Sequence, residues 1–500
     1  MSEFYTFMPG HVTLQDIKKL MISHQNIQLD SNCIAHIESA HECVQKIIAD
    51  KKIVYGINTG FGSLASQIIS TENLKQLQRN IVLSHACGTG ELLNDDVVSL
   101  ILLLKINNLA QGYSGVSLEL IQALITLYNK QIYPCIPGKG SVGASGDLAP
   151  LAHMALPLLG VGDVRYQGKI IPATEGLEIA GLPVLDLAPK EGLALLNGLQ
   201  ISAALLITSF LETEKLFNTA LLAGSLSVDA ACGSDVPFDP RIHQAKGHAS
   251  QSEVAAIYRQ LLTNSEIRES HRKCERVQDP YSLRCQPQIM GAVLQQMRFV
   301  EETLEAEINS VSDNPLIFLD TGDVLSGGNF HGEMIAMAAD NLALAIAETG
   351  SASERRIALL IDKNFSGLPA YLVKSSGLNS GFMVAHVTAA ACASDNKALA
   401  HPHSVDSIPT SANQEDHVSM ATNGARRLSA MIDNTATILA IELLAACQGL
   451  EFHKPLTTSR RLQTVYNAVR LDVEPYDQDR YFAPDIAIIK KKILAGNFVV

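Results

Sequence analysis

Along most of this chain apolar residues recur at the three- and four-residue spacing of helices rather than in the alternation of strands. From residue 190 onward the pattern predicts Ala/Leu/Ile-rich helices over roughly 190–231, 250–264, 286–311, 329–361, 381–397, 417–449 and 458–472. Several exceed the average helix of about 11–12 residues, as core helices of a long bundle do. The first fifty residues read as short amphipathic helices, with Thr13 capping Leu14–Met21 and Asp30 or Ser31 capping Ile34–Ile48. Residues 71–128 are helical, interrupted at Ser84-His85-Ala86-Cys87-Gly88-Thr89-Gly90. Residues 160–185 form one hairpin-like excursion toward β. The fold class is therefore mainly α. A smaller, mixed N-terminal region, 1–190, is expected before a long-helix domain, 191–500, that makes an oligomer core.

Composition narrows the partners. With 47% hydrophobic and 18% charged residues, charge is scarce for a monomer's surface, which implies surface buried between subunits. The net charge of −13, with no basic run longer than Lys490-Lys491-Lys492, argues against nucleic acid. Nine scattered cysteines without a C-x-x-C point to a reducing compartment, and the first residues carry no secretory leader pattern. Gly192–Leu211 carries no charge, but its Asn, Gln, Ser and Thr residues suit a buried bundle helix better than a membrane span. A cytoplasmic protein without a membrane partner is expected.

The chemistry concentrates in Gly143-Ala144-Ser145-Gly146-Asp147-Leu148. Held in a tight bend, the Gly146 nitrogen can attack the Ala144 carbonyl carbon, because glycine tolerates the crowded, positive-φ backbone that closure needs. Loss of water from the ring and from Ser145 leaves an imidazolone with an exocyclic methylidene, an electrophile absent from the standard side chains. Asp147 is expected to cap the helix that follows. The overlapping Gly138-Lys139-Gly140-Ser141-Val142-Gly143 matches a dinucleotide fingerprint in letters only, because the prolines before it and the missing βαβ rhythm argue against one. Upstream, Val54-Tyr55-Gly56-Ile57-Asn58-Thr59-Gly60-Phe61-Gly62 reads as a flexible loop that can carry a phenol over a pocket. An Arg between prolines in Pro280-Tyr281-Ser282-Leu283-Arg284-Cys285-Gln286-Pro287 suits a two-pronged grip on a carboxylate. No metal is expected: His401-Pro402-His403 lacks helical ligand spacing and no H-E-x-x-H occurs.

These pieces, in this order from about residue 50 to 455, resemble the aromatic amino acid ammonia-lyase family. The resemblance rests on Tyr55 to Gly62, Ser84-His85, Gly140 to Pro150, Asn197-Gly198, Gln278 to Arg284, Gly327 to His331, Leu378 to Met383 and Gln414-Glu415. It implies a 4-methylidene-imidazol-5-one (MIO) prosthetic group made from Ala144-Ser145-Gly146, with no external cofactor. It also implies a long helical bundle of the fumarase/ammonia-lyase type, and a homotetramer whose active sites are shared between subunits. In the implied roles the methylidene engages the substrate amine, with the imidazole as the open alternative, and Tyr55 takes the β-proton. Arg284 clamps the carboxylate and Asn197 helps hold it or the ring. Tyr281, Gln278 and Phe330 shape the site, Met383 walls the imidazole, and Glu415 sits near the imidazole or amine. Ser84-His85, a polar pair able to hydrogen-bond an imidazole, points to L-histidine as substrate and trans-urocanate as product. Tyrosine or phenylalanine lyase and aminomutase activities stay open as alternatives. Leu199, where relatives more often have Thr, is the one small departure.

Overall fold

The computed structural model describes residues 4–272 and 277–500. Its contacts divide the chain into two compact units. The first comprises residues 1–208, 301–340 and 402–426; the second comprises 209–300, 341–401 and 427–500. The expected N-terminal region thus lies within the first unit, while residues 191–500 are divided between both. The chain passes from one unit to the other within the helices Gln200–Ala230, Gln286–Ile308 and Glu333–Ile361.

Every described strand belongs to the first unit. Phe4–Phe7 pairs in parallel with Asn26–Leu29, a pairing that the expectation of helices alone missed. The hairpin expected after residue 160 is Asp163–Tyr166 against Lys169–Pro172, and the helix Ala173–Ala180 follows it. Thr89–Leu92 pairs antiparallel with Pro137–Lys139, which is not the parallel strand-to-helix crossover of a dinucleotide site. Thr13 caps Leu14–Ser23 through a full capping box with Asp16. Asp30 caps a short 3₁₀ turn, Ser31–Cys33, that leads into Ile34–Ala49. At the centre of this unit Asp95–Leu109 is buried on every side, and the polar Lys105, Asn107 and Asn108 are buried with it. Each finds backbone partners: Asn107 Nδ2 donates to the Ile308 carbonyl at 2.6 Å, and its Oδ1 accepts from the Gly10 amide at 2.9 Å.

The regular elements among the described residues of the second unit are all helices. Its centre is Leu428–Glu451, packed against Met383–Leu399 and Ala483–Leu494. There Glu442, fully buried, accepts from Arg356 Nη2 (2.8 Å), Ser227 Oγ (2.8 Å) and Ser353 Oγ (2.5 Å). Lys490 on Ala483–Leu494 reaches Asp433 at 2.6 Å, as a solvated lysine face would.

Three expectations need correction. The helix expected over 190–231 is two helices, Glu191–Leu196 and Gln200–Ala230, broken where Asn197 turns extended and Gly198 adopts φ +118°. The helix expected over 417–449 is likewise Ala421–Arg426 followed by Leu428–Glu451. Asp147 stands at the N-cap position, but its side chain makes no cap bond and turns into the protein. Two apolar helical stretches, Glu191–Ala230 and Ala421–Glu451, are long enough to cross a membrane, yet 89% and 83% of their most apolar windows are buried in the protein.

Candidate active site

The first unit contains a cavity of about 1030 Å³, lined among others by Tyr55, Ser84, His85, Ala144, Ser145, Asn197, Phe330 and Glu415. Segments around residues 55–85, 144–148, 193–197, 314–331 and 411–417 build it.

The tripeptide is the most tightly determined part. Residues 143–147 form one continuous bend. The Gly143 carbonyl accepts from Ser419 Oγ (2.7 Å) and from the Gly332 amide (3.0 Å), and the Met420 amide donates to the Val142 carbonyl (2.8 Å). On the far side the Asp147 amide donates to the Gly198 carbonyl at 2.7 Å. The Asp147 carboxylate, with no exposed surface, accepts from Ser141 Oγ, Ser202 N, Ser202 Oγ and Thr422 Oγ1 at 2.7–2.8 Å. Four donors in place of a cation satisfy a buried carboxylate and hold the end of the bend still. Gly146 has φ +79°, and a Cβ there would lie 2.5 Å from both the nitrogen and the oxygen of Gly198. Only glycine fits so close to a neighbouring backbone. The bend thus meets the backbone requirement for ring closure, and the residues fit the MIO group.

Asn197 lies at the helix break behind the bend. Its Nδ2 donates to the Asn314 carbonyl at 3.2 Å, while Oδ1 is buried without a hydrogen-bond partner. Such an orphaned acceptor is costly unless a ligand or prosthetic group meets it. Lys105, entirely buried, donates to the carbonyls of Ala194 (3.2 Å) and Asn197 (2.6 Å), closing the exposed end of Glu191–Leu196. Burial holds its pKa down to about 7, against the pull of Asp313 and Asp147, with Lys190 adding to the depression. Lys190 is itself paired with Asp313 at 2.6 Å, both without exposed side-chain surface.

Tyr55 is on a loop less free than its glycines suggest. Residues 56–60 are buried, with Asn58 accepting from the Val54 amide (2.9 Å) and donating to the Lys52 carbonyl (2.8 Å). The Tyr55 phenolic oxygen accepts from the Gly62 amide at 3.2 Å. Exposure begins past Phe61.

His85 ends the helix Leu74–His85, its Nδ1 3.0 Å from Ser84 Oγ. Burial lowers its pKa, and the Ile81 carbonyl and the Glu415 charge only partly offset that, so it is neutral at neutral pH. For Glu415 burial pushes the pKa up, but hydrogen bonds from Ser145, Thr410 and Ser411 outweigh it and hold the carboxyl below its ordinary range. The Ser411 hydroxyl donates at 2.9 Å. Ser411, Ala412 and Asn413, just before, all have positive φ of 50–65°, a strained run that aims the loop inward.

Four expected site residues, Gln278, Tyr281, Arg284 and Met383, belong to the second unit and are not among those lining the cavity. Tyr281–Arg284 is a short helix in which the Arg284 guanidinium lies 4.6 Å over the Tyr281 ring. Tyr281 is 69% exposed and Met383 38%. Conversely, the lining residues Asn314, His331, Gln414 and His417 received no role from sequence, although His331 and Gln414 fall in stretches that carry the family resemblance. Lys105 had a signal of its own, a lysine inside an otherwise apolar helical run.

A mainly helical fold with the Ala144-Ser145-Gly146 bend at the wall of a cavity that Tyr55 also lines fits a class of carbon–nitrogen lyases and aminomutases. Residues 12–471 match the model of the family described as aromatic amino acid lyase, and the chain belongs to that family. It is 69% identical over 498 residues to a histidine ammonia-lyase of Legionella pneumophila, spanning 100% of this chain and 98% of that one. Among solved structures it resembles the histidine ammonia-lyase of Trypanosoma cruzi, with a TM-score of 0.90 and 39% identity over 97% and 92% of the two chains. A phenylalanine aminomutase of Pantoea agglomerans superposes with a TM-score of 0.93 at 31% identity, over 98% and 99%. Backbone shape therefore does not distinguish elimination from amine migration.

Proposed function

We propose that this chain is a histidine ammonia-lyase, eliminating ammonia from L-histidine to give trans-urocanate, the opening step of histidine breakdown. The observation that carries the reading is the bend at Ala144-Ser145-Gly146. It is pinned from both sides, with a glycine wedged against Gly198, on the wall of a cavity that also presents Tyr55, His85 and Glu415. The MIO group made there supplies an electrophilic carbon that turns the substrate's amino group into a better leaving group.

The chain's own side chains do the rest. Tyr55, reacting as its phenolate, takes the β-proton at the oxygen to which the Gly62 N–H already points and becomes the neutral phenol. Neutral His85 with Ser84 offers hydrogen-bonding partners to the imidazole, and a phenyl ring would leave those groups unmatched. Asn197 Oδ1, otherwise orphaned, holds the ring or a substrate N–H. Glu415, whose carboxylate keeps the Thr410 and Ser411 hydroxyls as donors after Ser145 loses its own, balances positive charge on the amine or imidazole.

Arg284, Tyr281, Gln278 and Met383 reach the site from neighbouring copies in a homotetramer. Their absence from the cavity lining, the exposure of Tyr281, and the buried but unpartnered Arg284 Nε support this. On Met383–Leu399, Val384 and Val387 are 64% and 58% exposed, an apolar face suited to subunit burial. The buried apolar helices and the scattered thiols favour a soluble, cytoplasmic enzyme.

The test is ultraviolet absorbance on adding L-histidine to the pure protein, with L-tyrosine and L-phenylalanine in parallel. The chain has no Trp, so its background is low. A rise with histidine alone is expected. A rise with another amino acid instead would overturn the substrate, and a β-amino acid product would overturn elimination in favour of migration.

A further inference from the structure

We propose that His331, Glu333 and His417 form a binding site for one divalent transition-metal ion of the zinc or cobalt kind at the edge of the cavity. One donor atom from each of the three lies within 4.8 Å of the others. His331 and His417 both line the cavity.

Two further observations point to a ligand. Glu333 Oε2 is shielded from solvent and has no hydrogen-bond partner. Position at the start of Glu333–Ile361 explains a carboxylate there through the helix dipole, but not a buried oxygen left without a donor. Buried carboxylate oxygens ordinarily meet a donor, a cation or a metal. The second observation is the tautomer of His331. Its Nε2 lies 3.2 Å from the His417 backbone carbonyl, which can only accept, so Nε2 carries the proton and Nδ1 keeps a free lone pair. A metal-binding histidine usually donates its other ring N–H to a backbone carbonyl in this way.

Two imidazole nitrogens and one carboxylate are borderline donors, which favour zinc-like ions over calcium or magnesium. Three protein ligands leave a fourth position open to the cavity. Tetrahedral ligands around zinc stand about 3.3 Å apart, so donors within 4.8 Å of one another reach that spacing by an inward movement of at most about 1.5 Å. His417, exposed on the loop after Glu415, is the ligand free to do so. The ligand segments lie 86 residues apart, so no spacing motif announced them, and the proposal revises the sequence-based expectation of no metal. It stands independently of the reaction assigned above, because binding is read without turnover.

The test is titration of the full-length, chelator-treated protein with Co²⁺ alone, followed by visible absorption and by metal analysis after dialysis. One Co²⁺ per chain is expected, with the ligand-field bands of nitrogen and oxygen coordination and no thiolate-to-cobalt charge transfer. His417→Asn and Glu333→Gln should each weaken binding at least tenfold while leaving circular dichroism unchanged. Thiolate bands, absence of stoichiometric binding in the wild-type protein, or undiminished binding by both variants would overturn the proposal. Should a variant misfold, the stoichiometry and spectrum of the wild-type protein decide alone.

Discussion

Gly146→Ala isolates the geometric argument for ring formation, because it adds one methyl group and removes no functional atom. Alanine at φ +79° pays about 1–2 kcal/mol for a left-handed backbone. Its Cβ would also sit 2.5 Å from the Gly198 nitrogen and oxygen, closer than real Cβ contacts come. Those atoms are backbone and cannot rotate away, and the Gly198 carbonyl is already engaged by the Asp147 amide at 2.7 Å. Relieving the overlap costs about a further 1–3 kcal/mol, as overpacking does in a close-packed interior. The total, about 2–5 kcal/mol, leaves two outcomes: the bend opens and the ring never forms, or the chain fails to fold. Intact-mass spectrometry distinguishes them on folded material. Wild-type protein should be lighter than its sequence by two water molecules, and soluble Gly146→Ala should carry its full unmodified mass with no turnover. The urea midpoint should fall as well. A Gly146→Ala protein that still loses both waters would refute the claim that this contact enforces closure.

Other expectations follow from single contacts. Lys105 has a folded pKa of about 7 against an ordinary 10.5, so between those values the unfolded chain binds more protons and stability rises with pH. Lys105→Met should abolish that rise in urea midpoints and leave two carbonyls unpaired at about 1–3 kcal/mol each; an unchanged pH slope would contradict the assignment. Glu442→Gln strips the counter-charge from the buried Arg356 and should cost about 3–5 kcal/mol, read by thermal unfolding; a loss below about 1 kcal/mol would show the pair contributes little. Tyr55→Phe keeps the loop packing but removes the proton acceptor, so kcat should drop by about a hundredfold or more at nearly unchanged KM. His85→Leu should depress kcat/KM for L-histidine and raise it for L-phenylalanine; equal losses on both would place His85 outside substrate choice.

Much of the site was legible because its chemistry is contiguous. Ring closure needs three adjacent residues, and Ala144-Ser145-Gly146 states them outright. Helices were legible for a similar reason. Periodicity and caps are properties of a few neighbouring residues, as the Thr13 and Asp16 capping box shows. Even the hairpin at 163–172 follows from local β-propensity and a turn. The same local rules misled at Asn197-Gly198, where an apolar run that propensity continues as a helix is broken. Lys105, folded against that break from another helix, satisfies the carbonyls the break exposes, and the Asp147 amide takes the Gly198 carbonyl. No feature near residue 197 announces either partner.

Asp147 illustrates the difference most directly. Its place before a helix predicts a cap, but Ser141, Ser202 and Thr422 converge on its carboxylate and turn it inward instead. His331 and His417 meet only because two loops share one wall of the cavity. By itself, then, the sequence determined the helical class, the Thr13 cap and the tripeptide proposed to cyclise, since each depends on neighbours within a turn or two. Tertiary structure alone decided which buried polar group each residue serves. A buried donor or acceptor takes its partner from whatever segment packs against it, and here those segments lie up to 275 residues away.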